Sequence, residues 1–237
     1  MARSTGGPQP PRLLTRLTET LTLDERPGDG ARWTGVEVGG EVRGGTVAEL
    51  EIAGSRVVGA TFTGVEFEGL RVTDTVFQGC DLSGARVVEA QLVRVEFVDC
   101  RMLAFDAAQA SLRDVVFREC RLDEANFRMS AGERVRFNRS MLRGADFYRA
   151  RLPGVDLFDC DLTDVEVGRA DLRGGRLHGS KLEGLRGADS ARGAVIDSTQ
   201  LLPMAVRVLA SLGIAVDDER EPTPVNRDGR SGRTRAT

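Results

Sequence analysis

The chain has 237 residues, with 33 basic and 36 acidic side chains and a net charge of −3, too small an imbalance to single out nucleic acid or a charged surface as partner. No apolar run reaches membrane-spanning length, and Met1 to Arg12 hold no apolar stretch of the kind that opens a secretory leader. The four cysteines lie at least twenty residues apart; without a leader they read as reduced thiols of a cytoplasmic protein.

Residues 1–35 are rich in Pro, Gly, Ser and Thr and read as a flexible N-terminal segment. Leu13, Leu14, Leu17, Leu21 and Leu23 within it supply enough apolar content to cap one end of a body.

From 36 to 190 the chain repeats. Steps of five from Val42 to Leu182 give twenty-nine positions, of which twenty-eight are apolar and only Gly132 is not. Eight of the ten phenylalanines lie on this list, so chance does not explain it. Two residues earlier in most units stands a small or modestly apolar residue, as at Ala60, Cys80, Ala85, Ser130 and Ala145. A large and a small residue two apart point to the same side of an extended chain, so each unit has an inward pair and an outward polar remainder. A period of five fits neither a helix nor a flat strand; the chain must turn a corner every unit.

Cys80, Cys100, Cys120, Ser140, Cys160 and Ser180 recur every twenty residues, and so do Phe77, Phe97, Phe117 and Phe137. Four units per coil stack like on like, at about 4.8 Å per rung. This predicts about seven coils and a rod roughly 35 Å long. Gly132, in the stretch Ser130 to Phe137, is the expected site of a bulge or loosened corner.

The units Ala125-Asn126-Phe127, Ala145-Asp146-Phe147, Cys160-Asp161-Leu162 and Ala170-Asp171-Leu172 resemble the A-(D/N)-L-x-x unit of pentapeptide-repeat proteins. The resemblance implies an all-β solenoid, a right-handed quadrilateral β-helix, over residues 36–190.

Residues 191–216 leave the repeat and read as a helix and a short strand. Asp197 or Ser198 can cap the helix, and Pro203 stands early enough to be tolerated. Leu201, Ala205, Val208, Leu209 and Leu212 make an apolar stripe, and Gly213 ends it. Ile214, Ala215 and Val216 can add the strand. The module caps the rod, and the resemblance implies a homodimer through this helix. Residues 217–237 are polar and read as a disordered tail.

Little in the sequence carries chemistry. The cysteines occupy inward small positions at a spacing of twenty, unlike the close-set pairs of metal sites, and read as core. His178 follows inward Leu177 and should point outward. A convex rod offers no converging catalytic groups, so the chain reads as a non-enzyme without cofactor or metal.

Charge remains. Seven arginines lie between Arg128 and Arg151, among them Arg136, Arg139 and Arg143, against Glu133 and Asp146. Five acids and no base follow from 156 to 166: Asp156, Asp159, Asp161, Asp164 and Glu166. These two bands are the candidate partner-binding surface. Val76, Val98, Val116 and Phe158, at outward sites, form a second candidate strip.

The sequence thus describes a non-catalytic protein-interaction solenoid that contacts neither nucleic acid nor membrane. The likeness to quinolone-resistance and mycobacterial fluoroquinolone-resistance proteins implies an alternative, a DNA mimic acting on DNA gyrase. Against that alternative, residues 36–190 mix 26 acids with 21 bases, whereas a duplex carries one negative charge per about 1.7 Å. An enzyme accessory role is a third reading.

Overall fold

The computed structural model describes residues 6–13, 17 and 19–215. Its strands are β1 (Glu19–Leu23), β2 (Arg32–Thr34), β3 (Val36–Gly40), β4 (Thr46–Ala48), β5 (Glu51–Ala53), β6 (Arg56–Val58), β7 (Glu66–Glu68), β8 (Arg71–Gln78), β9 (Gln91–Val98), β10 (Ser111–Arg118), β11 (Ala131–Asn138) and β12 (Asp156–Phe158). Every pairing among them is parallel. The main stack runs β1-β3-β6-β8-β9-β10-β11-β12, with β2-β5-β8 and β4-β7 beside it.

The rungs pair residue i with i+20: Arg71 with Gln91, Gln91 with Ser111, Ser111 with Ala131. Single bridges carry the same step from Glu41 through Thr61, Asp81, Arg101, Arg121, Met141 and Asp161 to Lys181. These seven steps are the expected seven-coil β-solenoid with four five-residue sides. Its wall of backbone hydrogen bonds runs along the axis, as Met102 N to Arg121 O at 2.7 Å and Leu122 N to Met141 O at 2.7 Å.

Each corner has one conformational cause. Every fifth residue from Gly44 to Gly184 has positive φ; twelve of these twenty-nine are glycine and seventeen are not, including Glu89 (φ 60), Ala104 (φ 51) and Arg149 (φ 58). A left-handed residue reverses the local curl of an extended chain, and outside glycine it costs about 1–2 kcal/mol. The cost recurs because the residues one and three places further on then turn inward and are buried, as Phe105 and Ala107 do after Ala104.

All twenty-eight apolar fifth positions are buried. Phe77, Phe97, Phe117 and Phe137 stack at centroid separations of 4.9, 5.0 and 4.7 Å. Phe127 and Phe147 form a second stack at 5.0 Å, edge-on to the first. The small inward column holds Cys and Ser for a shared reason: both donate to a carbonyl of the coil below. Cys100 Sγ reaches Phe77 O at 3.5 Å, Ser140 Oγ reaches Phe117 O at 3.4 Å and Ser180 Oγ reaches Leu157 O at 2.8 Å.

Gly132 does not loosen a corner. It lies within β11, in register with Leu112, and a Cβ there would sit 2.7 Å from Val135 and 2.8 Å from Leu152. Those two side chains already fill the space.

Within residues 1–35, β1 and β2 are rungs of the stack. Their offsets are shorter: Glu19 faces Val36 and Arg32 faces Glu51. At the other end, two short 3-10 helices (Ala188–Ala191 and Ser198–Gln200) lead into α1 (Leu201–Ser211). Asp197 caps this turn: Thr199 N donates to its Oδ1 at 2.9 Å and Gln200 Oε1 accepts from Asp197 N at 3.0 Å. Met204 and Val208 pack against the core.

No strand forms at Ile214 and Ala215. Gly213 is left-handed (φ 70) and Ile214 N donates to Leu209 O at 2.9 Å, a helix stop that folds the chain back. Val216 and the tail 217–237 lie outside the described residues. No helix among the described residues is long and apolar enough to cross a membrane.

Candidate functional site

Twenty-residue stacking decides how the outward charges meet. A residue in the basic band has its neighbour one coil on in the acidic band, so the bands are superposed rungs. Arg136 donates to Asp156 Oδ2 from Nη2 at 2.9 Å and from Nε at 3.1 Å. Arg176 grips the same carboxylate from the far side at 2.7 and 2.8 Å, and Asp156 is buried between them. Arg143 and Lys181 flank Asp161, each at 3.5 Å. Burial opposes the charge of Asp161, but hydrogen bonds from Thr163 and these two cations hold its carboxyl below the usual range. Arg139 turns the other way, to Glu119 at 3.3 Å.

Glu166 accepts from Gly168 N at 2.6 Å and faces Arg186 at 3.7 Å. Asp159 and Asp164 stand differently. Both are exposed corner residues with positive φ, and neither has an ion pair among the described residues. The predicted acidic surface is therefore two bare carboxylates beside three neutralised ones.

Of the four outward apolar residues, Val76, Val98, Val116 and Phe158 are all half-buried. Arg136 and Arg176 lie over the Phe158 ring at 5.9 and 5.0 Å, and His178 meets its edge at 6.2 Å. A similar cluster was not visible in sequence: Tyr148 is ringed by Arg128, Arg149 and Arg169 at 4.6, 5.3 and 5.9 Å. Its signal is there in retrospect, since 128, 148 and 168 are one column and 149 and 169 the next.

On α1, Val208 and Leu209 are half-buried, while Leu201, Ala205 and Leu212 are exposed. Leu202, Val206 and Ile214, absent from the predicted stripe, are also exposed, Leu202 at 73%. The end of the rod thus presents an apolar face without a partner inside the described chain. A shallow cavity of about 320 Å³ separates α1 from the last coil, lined by Ile196, Met204 and Val208 among others.

One contact joins parts of the chain that sequence reading left apart. Gln9 N donates to Asp114 Oδ1 at 2.9 Å and Arg12 N donates to Asp74 Oδ1 at 2.9 Å. Those acids belong to a corner ladder, Asp74, Arg94, Asp114 and Arg134, with bidentate pairs at 2.5 and 2.6 Å and at 2.5 and 2.8 Å. Each arginine holds its aspartate below the usual carboxylate range.

Comparison with known proteins bears on the repeat. Residues 55–127 match the family model "Pentapeptide repeat region" and residues 133–157 match "Pentapeptide repeats (8 copies)". No curated protein matches the chain. Among solved structures, full-length QnrB1, a plasmid-mediated fluoroquinolone resistance protein, is 19% identical. That match covers 71% of this chain and 99% of QnrB1, with a TM-score of 0.49. HetL, involved in heterocyst differentiation regulation in the cyanobacterium Nostoc sp. strain PCC 7120, is 17% identical, covering 77% of this chain and 92% of its own, with a TM-score of 0.29.

Proposed function

Because the chain belongs to the pentapeptide-repeat family, we propose that it works as a non-catalytic docking rod, paired with a second copy through α1. The observation that carries the reading is the exposed apolar face of Leu201, Leu202, Val206, Leu212 and Ile214 at one end. A self-complementary apolar patch at a rod end favours a twofold contact, which closes on itself. The flanks suit docking better than chemistry, because many outward charges are spent on their neighbours one coil away.

The same pairing weighs against a DNA mimic. Three of the five acids between 156 and 166 lie against cations, so the band does not present the continuous negative charge of a duplex. Pull-down with gyrase subunits and a supercoiling assay at micromolar protein should both be negative; clear inhibition of supercoiling would restore the mimic.

Light scattering tests the pairing. The unaltered protein should run at twice the chain mass at tens of micromolar, and a Leu202→Asp/Val206→Asp variant at the chain mass with its solenoid intact by circular dichroism. A monomeric unaltered protein would overturn the dimer and leave the rod.

A further inference from the structure

Residues 6–13 lie along the ladder corner, and their sequence dictates how. From Gly7 to Pro11 every residue is a proline or stands just before one. Proline fixes φ near −65°, and the residue before a proline is pushed into the extended region. The segment is therefore committed to a polyproline II course, which rises about 3.1 Å per residue with three residues per turn. Three residues advance about 9.3 Å, and two rungs of the rod advance about 9.6 Å. The two repeats are commensurate, and the contacts follow that match. Gln9 and Arg12, three apart, donate to Asp114 and Asp74, two coils apart. The prolines at 8, 10 and 11, which have no N–H, fall at positions where none is required.

The corner is shaped for such a ligand. With the segment in place Asp114 is 3% exposed and Arg94 and Arg134 are 21% and 26% exposed, against 53% for Arg86 and 62% for Arg139 on other sides. Each aspartate uses Oδ1 twice, for an arginine Nε and for a peptide N–H. Arg12 adds a cation beside Asp74. The next two residues of the same corner column are Gly154 and Gly174, which with Gly6, Gly7 and Pro8 line an open cavity of about 410 Å³.

We propose that this corner, over Asp74, Arg94, Asp114 and Arg134, is a recognition site for basic proline-rich segments of a partner protein. Residues 6–13 are its built-in occupant. The site reads backbone N–H groups three residues apart with carboxylates two coils apart, and the partner's segment must displace the tethered one. The tether raises the local concentration of the occupant, so free peptide binds the unaltered protein weakly.

The test uses the full chain and a fluorescent peptide of the sequence Gly-Gly-Pro-Gln-Pro-Pro-Arg-Leu-Leu. A Pro8→Gly/Pro10→Gly/Pro11→Gly variant loses the pre-set course of its own segment and should bind the peptide at least tenfold more tightly than the unaltered protein. Peptide N-methylated at its Gln and Arg should bind that variant at least tenfold more weakly. Adding Asp114→Leu/Arg134→Leu, which removes the pair without stranding a charge, should abolish binding. Absence of binding to the triple-glycine variant, or equal binding of the N-methylated peptide, overturns the proposal. A measurement on the unaltered protein guards against misfolded variants: millimolar free peptide should speed hydrogen exchange at the Gln9 and Arg12 amides. Unchanged exchange there overturns displacement.

Discussion

Gln200 Nε2 donates to the carbonyls of Leu177 and Ser180, each at 2.5 Å. The bond to Leu177 spans 23 residues, as do those of Ser180 to Leu157 and Ser140 to Phe117. Gln200 thus extends the Cys/Ser column one coil beyond the last recognisable repeat and closes its open end. Replacement by Leu keeps the volume but leaves the Ser180 carbonyl without a donor, whereas Leu177 O still accepts from Ser180 N at 3.1 Å; one unsatisfied buried group costs about 1–3 kcal/mol. Chemical denaturation of Gln200→Leu should show a loss of that order, and hydrogen exchange should rise first between 177 and 211. A variant as stable as the original would show the end is sealed by apolar contact alone.

The left-handed corners set up an opposite expectation. Ala104 holds φ 51 at a cost of about 1–2 kcal/mol and has only a methyl group to lose. Glycine removes that strain and adds about 0.4–1 kcal/mol of unfolded-state entropy against folding. Ala104→Gly should therefore raise stability by about 0.5–1 kcal/mol, read as a higher denaturation midpoint at unchanged slope.

Much of this architecture was legible because the five-residue and twenty-residue periods act directly on burial and pairing. What escaped did so for physical reasons. The first rungs escaped because their offsets shorten: Trp33 stands nineteen residues before Ile52, and Leu21 seventeen before Val38, so a strict step of five loses them. The packed face of α1 was legible only in part: Val208 stands on the predicted stripe, but the helix is apolar on most sides, so its period alone cannot choose Met204 over the exposed Leu201 and Ala205. The sequence sets the basic band against the acidic one along the axis; what it does not display is that a twenty-residue coil lays Arg136 directly under Asp156, so that the two neutralise each other. The proline-rich segment read as loose because its partners lie 62 and 105 residues away.

Acid should release that segment late. Asp74 and Asp114 have folded pKa values held below the ordinary carboxylate range by Arg94 and Arg134. A depressed folded value contributes stability above the unfolded pKa of about 3.9, and the contribution is lost as pH falls through the folded values. Protection of the Gln9 and Arg12 amides should be flat from pH 7 to 5 and decline only below about pH 4. In Asp74→Asn/Asp114→Asn the decline should be absent. A loss of protection near pH 6 in the unaltered protein would mean that these carboxylates do not hold the segment.

The thiols give a test of the core that needs no substitution. Cys80, Cys100, Cys120 and Cys160 are free and at most 2% exposed. Burial pushes the Cys160 thiol up to about 11. Contact with Cys120, together with burial, pushes Cys100 up to about 12. Cys120 is shifted downward by its contact with Cys100, but it is as enclosed as the others, so access rather than ionisation governs its reactivity. At pH 8 none of the four should react with a disulfide reagent in the native protein, and all four should react in denaturant. If the stack opens from its ends, as contacts limited to adjacent coils require, Cys160, nearer the C-terminal end, should label before Cys100 and Cys120 at intermediate denaturant. Simultaneous labelling of all four would show that the rod unfolds as one unit.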